Sequence, residues 1–175
     1  NVSLVGASVF RFSSATAFID SVKRVEPAEP WMRYRQKLDE AALTAAGGQK
    51  IFSSTSLPLE KGGTSQYYSF LRVPQALDQG FYAILVDSGK NKDISWFQVH
   101  PSASFAAFAS EQSLVWLKDT ASGAGLSGVL VSYEGRDIGK TGSDGVALFP
   151  SPTEFSRGVY EPYHYPSSGR RFLVA

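Results

Sequence analysis

A few stretches of the sequence hold residue types at spacings that could do chemistry. Gly123-Ala124-Gly125-Leu126-Ser127-Gly128 has the G-x-G-x-x-G spacing that lets a backbone approach a dinucleotide pyrophosphate when it opens a helix. Here Val129-Leu130-Val131 follows, a strand pattern, so no helix N-terminus would face the phosphate. Gly139-Lys140-Thr141 copies the end of a phosphate-binding loop, but the first glycine of that motif would fall on Glu134, with Gly135 one position off. Nucleophilic hydrolysis needs a base, and the chain has 2 histidines, His100 beside Pro101 and His164 between Tyr163 and Tyr165. No G-x-S-x-G elbow accompanies them. Asp144-Gly145 reads as a turn, since the oxygen-rich repeat of a calcium loop is missing around it. Nothing singles out a carboxylate pair among the 16 acidic residues. With 0 cysteines, thiolate nucleophiles, zinc–thiolate sites and disulfides are excluded. The expectation is therefore no catalytic, no cofactor-binding and no metal-ligating residues, hence no enzyme.

Composition sets the frame for the elements that carry these residues. The 175 residues are 43% hydrophobic and 13% aromatic, enough for packed cores in two modules near 100 residues or below. The 17 basic and 16 acidic residues leave a net charge of +1, so no global field draws in nucleic acid or an anionic membrane. No apolar run is long enough to span a bilayer, and no leader is read ahead of the first strand pattern. The start on a strand pattern and the finish on Arg171-Phe172-Leu173-Val174-Ala175 are expected of a segment of something longer.

The first module is expected over residues 1–100. Asn1 to Phe12 reads as a strand with both faces at least partly covered. Ser13 or Ser14 then caps a helix near 14–24, where Ala15, Phe18, Ile19 and Val22 recur at helical spacing. A second helical stretch is expected over 31–46, ended by Gly47-Gly48. Its Trp31 and Tyr34 among Arg33, Arg35 and Lys37 resemble a single-strand nucleic-acid surface, but Asp39 and Glu40 offset the charge, and a solvated helix face is the reading. Strands follow at Ile51–Leu57, Tyr67–Val73, Phe81–Val86 and Ile94–Val99, separated by glycine- and asparagine-rich turns. His100-Pro101-Ser102 looks like a linker.

The second module is expected over 102–175, with strands at Phe105–Phe108, Val115–Leu117, Val129–Tyr133, Val146–Phe149, Val159–Tyr160, Tyr163–Tyr165 and Arg171–Val174. Trp116 is read as its core anchor. The order of signals from Ser113 to Phe149 is more specific than any one of them. An apolar strand with Val115-Trp116 is followed by Asp119-Thr120-Ala121-Ser122-Gly123, Gly128-Val129-Leu130-Val131, then Gly139-Lys140-Thr141-Gly142-Ser143-Asp144-Gly145-Val146-Ala147. This resembles the macroglobulin-type β-sandwich domains of bacterial alpha-2-macroglobulin-like proteins, where a Val-Trp strand leads into T-G-x-P and a later T-D-x-D-G opens the next strand. Gly125 stands where that family usually has proline, and Gly142 where it often has aspartate. The run Gly80-Phe81-Tyr82 after Leu57-Pro58 resembles the G-x-Y strand of the same domains.

The expected fold is thus all-β, two tandem Ig-like or macroglobulin-type β-sandwiches, the first with a short helical insertion. The resemblance implies a non-catalytic scaffold segment of a protease trap in the periplasm or at the cell surface. Its partners would be neighbouring domains of a longer parent chain and, through the parent, a target peptidase. The family's Cys-Gly-Glu-Gln thioester cannot lie here, because there are 0 cysteines. The rival is an extracellular Ig-like binding or adhesin tandem that recognises carbohydrate or protein through exposed aromatics such as Trp31, Tyr34, Tyr67 or Trp96.

Overall fold

The computed structural model describes residues 4–26, 39–61, 69–133, 135–153 and 173–174. It divides into two compact units, Asn1–Val99 and His100–Ala175. The all-β class holds in both, and strands make up just over half of the described residues.

Unit 1 is built on β1 (Leu4–Phe12), the middle strand of a five-stranded antiparallel sheet in the order β3-β2-β1-β4-β5. The other members are β2 (Gln49–Lys61), β3 (Ser69–Leu71), β4 (Gly80–Asp87) and β5 (Lys92–Val99). Register breaks between Val5 and Ala7 and between Val9 and Phe10 bend the β1–β2 pair. β1 is buried on both faces, as its sequence predicts: Val5, Ala7 and Val9 on one, Ser8, Phe10 and Phe12 on the other. Against the second face pack α1 (Ala15–Val25) and α2 (Glu40–Ala45), so the helices supply the covering layer over this face.

Each helix is fixed by its cap. The Ser14 hydroxyl, rather than that of Ser13, accepts from Ala17 N at 3.1 Å, and Lys23 and Arg24 in the last turn favour the negative end of the helix dipole. Asp39 caps α2 through Ala42 N at 2.9 Å, and Gly47 at φ +94 turns the chain out of it. α2 realises the end of the helix expected over 31–46, whose first part, 31–38, lies outside the described residues. The core gathers Phe10, Val25, Leu43, Ala83, Leu85 and Ile94 around a cluster of rings. Phe12, Phe18 and Trp96 meet there at centroid distances of 5.7 to 5.8 Å.

Unit 2 holds two three-stranded antiparallel sheets. One runs β10-β7-β6 (Val146–Pro150, Gln112–Asp119, Ser102–Ala107) and the other β11-β8-β9 (Leu173–Val174, Leu130–Tyr133, Arg136–Lys140). Between them lie Val115, Leu117, Val131, Ala147 and Phe149, with Ile138 and Leu126 at the margin. β9 is absent from the sequence reading, because Arg136-Asp137-Ile138-Gly139-Lys140 is short, charged and without apolar alternation. The turn at Asp144-Gly145 carries the chain from one sheet to the other, since β9 pairs with β8 and β10 with β7. The strands read at Val159–Tyr160 and Tyr163–Tyr165 lie outside the described residues.

Trp116 corrects an expectation. Ser113, Val115 and Leu117 of β7 point into the core, so the two-residue period turns Trp116 outward, where it is 38% exposed. Its ring lies under the Lys118 ammonium at 4.7 Å, and its indole N–H reaches Asp144 O at 3.3 Å. Trp116→Ala is therefore expected to cost about 1–2 kcal/mol, against the ~3–5 kcal/mol of a buried tryptophan, in urea unfolding of the chain.

Candidate functional site

Two surfaces gather side chains that could act on something outside the chain, one in each unit. In unit 1 a cleft of about 330 Å³ opens between β1, β2, β4 and the start of α2. Ser8 and Ser53 from neighbouring strands share a hydrogen bond of 3.0 Å at its floor. The Ser8 hydroxyl also donates to Glu40 Oε1. Lys50 Nζ holds the other carboxylate oxygen at 2.8 Å. On the far wall Asp87 accepts from Gly89 N at 2.8 Å and pairs with Lys92 at 3.2 Å.

This is a hydroxyl beside a carboxylate, but its charge works against catalysis. The Lys50 ammonium, and after it the Ser8 hydroxyl, hold the Glu40 carboxyl below its usual range. A carboxylate so satisfied is a weaker proton acceptor toward Ser8 than a free one. What the network does is join α2 to the central strand, because Glu40 begins α2 and Ser8 sits mid-β1. Asp87 is lowered by the Gly89 amide and Lys92, and Asp119 by the Ser122 amide and hydroxyl.

These depressed values have a sign. A carboxyl whose folded pKa lies below its unfolded one contributes stability above the unfolded pKa and loses it as pH falls through the folded one. Urea midpoints of the chain should stay level above the ordinary carboxylate range and drop as pH falls below it. Glu40→Gln should flatten the part of that drop that belongs to unit 1.

The motifs singled out in the sequence serve structure in unit 2. Thr141 of Gly139-Lys140-Thr141 is buried, donates to Leu126 O at 2.6 Å and accepts from Val129 N at 2.9 Å, so it clamps the glycine-rich bend to the following strand. His100 is exposed and touches its own neighbour, with Nδ1 at 2.6 Å from Ser102 Oγ and accepting from Ser102 N at 3.2 Å. His164 lies outside the described residues. Trp96, which the rival binding reading needs exposed, is half-buried: its ring packs against the unit 1 core, and its indole N–H donates to the buried Glu26 at 2.8 Å. Trp31, Tyr34 and Tyr67 lie outside the described residues.

The exposed aromatics are elsewhere. On the outer face of β10-β7-β6, Phe105 stands opposite Trp116 across the strand pair, and Leu148 opposite Leu114. Phe105 is 59% and Leu148 60% exposed. Period two, applied strand by strand, places all four on the same face once the register is known.

Neither a family model nor a curated protein matches the sequence. Two solved structures match the fold. One is the crystal structure of native alpha-2-macroglobulin from Escherichia coli spanning domains NIE-MG1, at TM-score 0.56 and 15% identity over 87% of this chain and 76% of that one. The other spans domains MG0-NIE-MG1 of the same protein, at TM-score 0.57 and 12% identity over 99% of this chain and 55% of that one. The fold is macroglobulin-like.

Within this macroglobulin-like fold, the departure at Gly125 has a physical reason. A Cβ there would stand 2.3 Å from the Asp144 carbonyl, so the bend and the sheet-switching turn touch backbone to backbone. Among the described residues no helix is long and apolar enough to cross a membrane.

Proposed function

We propose that this chain is a non-catalytic scaffold segment of a bacterial alpha-2-macroglobulin-like peptidase inhibitor, and that its units, near 1–100 and 102–175, are successive modules of a longer frame. The observation that carries the reading is that the similarity runs through both units at once, over 99% of this chain, against consecutive domains of one E. coli alpha-2-macroglobulin. The chemistry of the cleft supports it, because Glu40 and Ser8 are spent on each other and on Lys50. In this role the segment works by keeping its shape while the parent is cut elsewhere by a target peptidase. Its site of action is the periplasm or the cell surface.

The test uses the parent, recovered from its source with an antibody against this chain and treated with endopeptidases. The expected result is a compacted parent that retains the peptidase, with residues 1–175 uncut. A parent that neither changes its hydrodynamic radius nor holds the enzyme would reject the reading. One observation favours a second reading, an extracellular binding tandem: the exposed Phe105–Trp116 pair forms an aromatic platform. Saturable quenching of Trp116 fluorescence by a glycan would favour it.

A further inference from the structure

Among the described residues, the β6 edge of the β10-β7-β6 sheet has no strand beside it and lacks the guards that the other edges carry. β6 is its terminal strand, and its sequence Ser102-Ala103-Ser104-Phe105-Ala106-Ala107 carries no charge and no proline. Natural edges are guarded by charge, proline, shortness or irregular register. β5 begins Lys92-Asp93, β9 carries Arg136, Asp137 and Lys140, β10 ends on Pro150, and β3 has 3 residues. β6 has none of these guards, and its pairing with β7 runs without a break from Ser102 to Ala107.

The hydrogen-bond phase of β6 follows from one bond at its start. Thr120 N donates to Pro101 O at 2.8 Å, which makes Pro101–Thr120 a hydrogen-bonded pair of the antiparallel ladder. Alternation then directs the backbone groups of Ala103, Phe105 and Ala107 toward β7, and those of Ser102, Ser104 and Ala106 outward. Leu117 N bonding Gly145 O gives the matching phase on the other side of β7. Ser102 N is already taken by His100 Nδ1. Ser104 and Ala106 keep their N–H and C=O facing out, between small side chains that are themselves exposed.

We infer that β6 pairs antiparallel with β6 of a second copy of this chain, about a two-fold axis at Phe105. In that register Ser104 exchanges both backbone hydrogen bonds with Ala106 of the other copy, and Ala106 with its Ser104, so only groups without a partner among the described residues are used. Phe105 then faces its own counterpart in a non-hydrogen-bonded pair, where cross-strand side chains come closest. The ring 59% exposed in one copy gains an aromatic partner, next to Trp116 on the same face. A strand free of charge meets itself without repulsion, and an interface used twice closes as a dimer.

The test is sedimentation equilibrium of the full 175-residue chain from about 10 μM to 1 mM, a range suited to a small interface. A reversible monomer–dimer equilibrium is expected. Ser104→Pro removes an outward N–H that the β7 ladder does not use, so the fold persists and dimerisation weakens at least about tenfold. Phe105→Lys and Phe105→Glu should each weaken it similarly by placing like charges across the axis, and an equimolar mixture of the two should restore association as a heterodimer. Circular dichroism confirms that each variant is folded. A chain that stays monomeric over the whole range, or a dimer indifferent to Ser104→Pro and to the charge pair, overturns the inference.

Discussion

Gly145→Ala is expected to destabilise unit 2 by about 2–5 kcal/mol, the sum of overpacking against backbone and a left-handed backbone conformation. Gly145 is buried at φ +80, which an alanine adopts only with strain. Its new Cβ would stand 2.3 Å from Leu117 O and 2.8 Å from Gly125 Cα, and neither atom is the yielding end of a side chain. Moving Leu117 away also disturbs two bonds that tie β7 to the turn and to the glycine-rich bend, Leu117 N to Gly145 O at 2.9 Å and Leu126 N to Leu117 O at 3.0 Å. The measurement is a urea titration with amide exchange at Leu117 and Leu126. Midpoint and protection unchanged from the parent chain would show that the turn relaxes freely.

Phe10→Ala should cost unit 1 about 3–5 kcal/mol, because a ring with 0% exposure at the centre of the sheet leaves a cavity that its neighbours fill only in part. Phe10 contributes to the same cluster as Leu43, Ala83 and Val25, which come from α2, β4 and α1. Its loss therefore loosens the helical layer as well as the sheet. The check is thermal unfolding followed through Trp96, whose ring packs on that cluster; each kcal/mol should lower the midpoint by roughly 4–8 °C in a unit of this size. Glu40→Gln, which touches only the surface network, should move it far less, and a larger shift there would mean that the network rather than the core holds α2.

Local signals carried most of the elements. The cap at Ser14, the exit at Gly47-Gly48 and the alternation in Leu4–Phe12, Gly80–Asp87 and Gln112–Asp119 all rest on interactions within a few residues and are legible from residue type and spacing, whereas the cap at Asp39 lies inside the stretch read as one helix over 31–46. The rejection of the phosphate-loop resemblances belongs here too, since a strand follows where the chemistry needs a helix. The strand Arg136–Lys140 was not legible, because its pairing with β8, and not its own composition, makes it extended.

The sequence by itself determined most of the strands, the first helix with its serine cap, that no thiol chemistry is available, and the resemblance to macroglobulin-type domains. Only the tertiary structure decided which way Trp96 and Trp116 point. Alternation says that neighbours face opposite sides but not which side is the core, and that depends on pairing partners far along the chain. For the same reason no local signal shows that Val115 and Val131 lie in opposing sheets. The apolar face and bare edge of β10-β7-β6 likewise exist only through register, which no single segment contains.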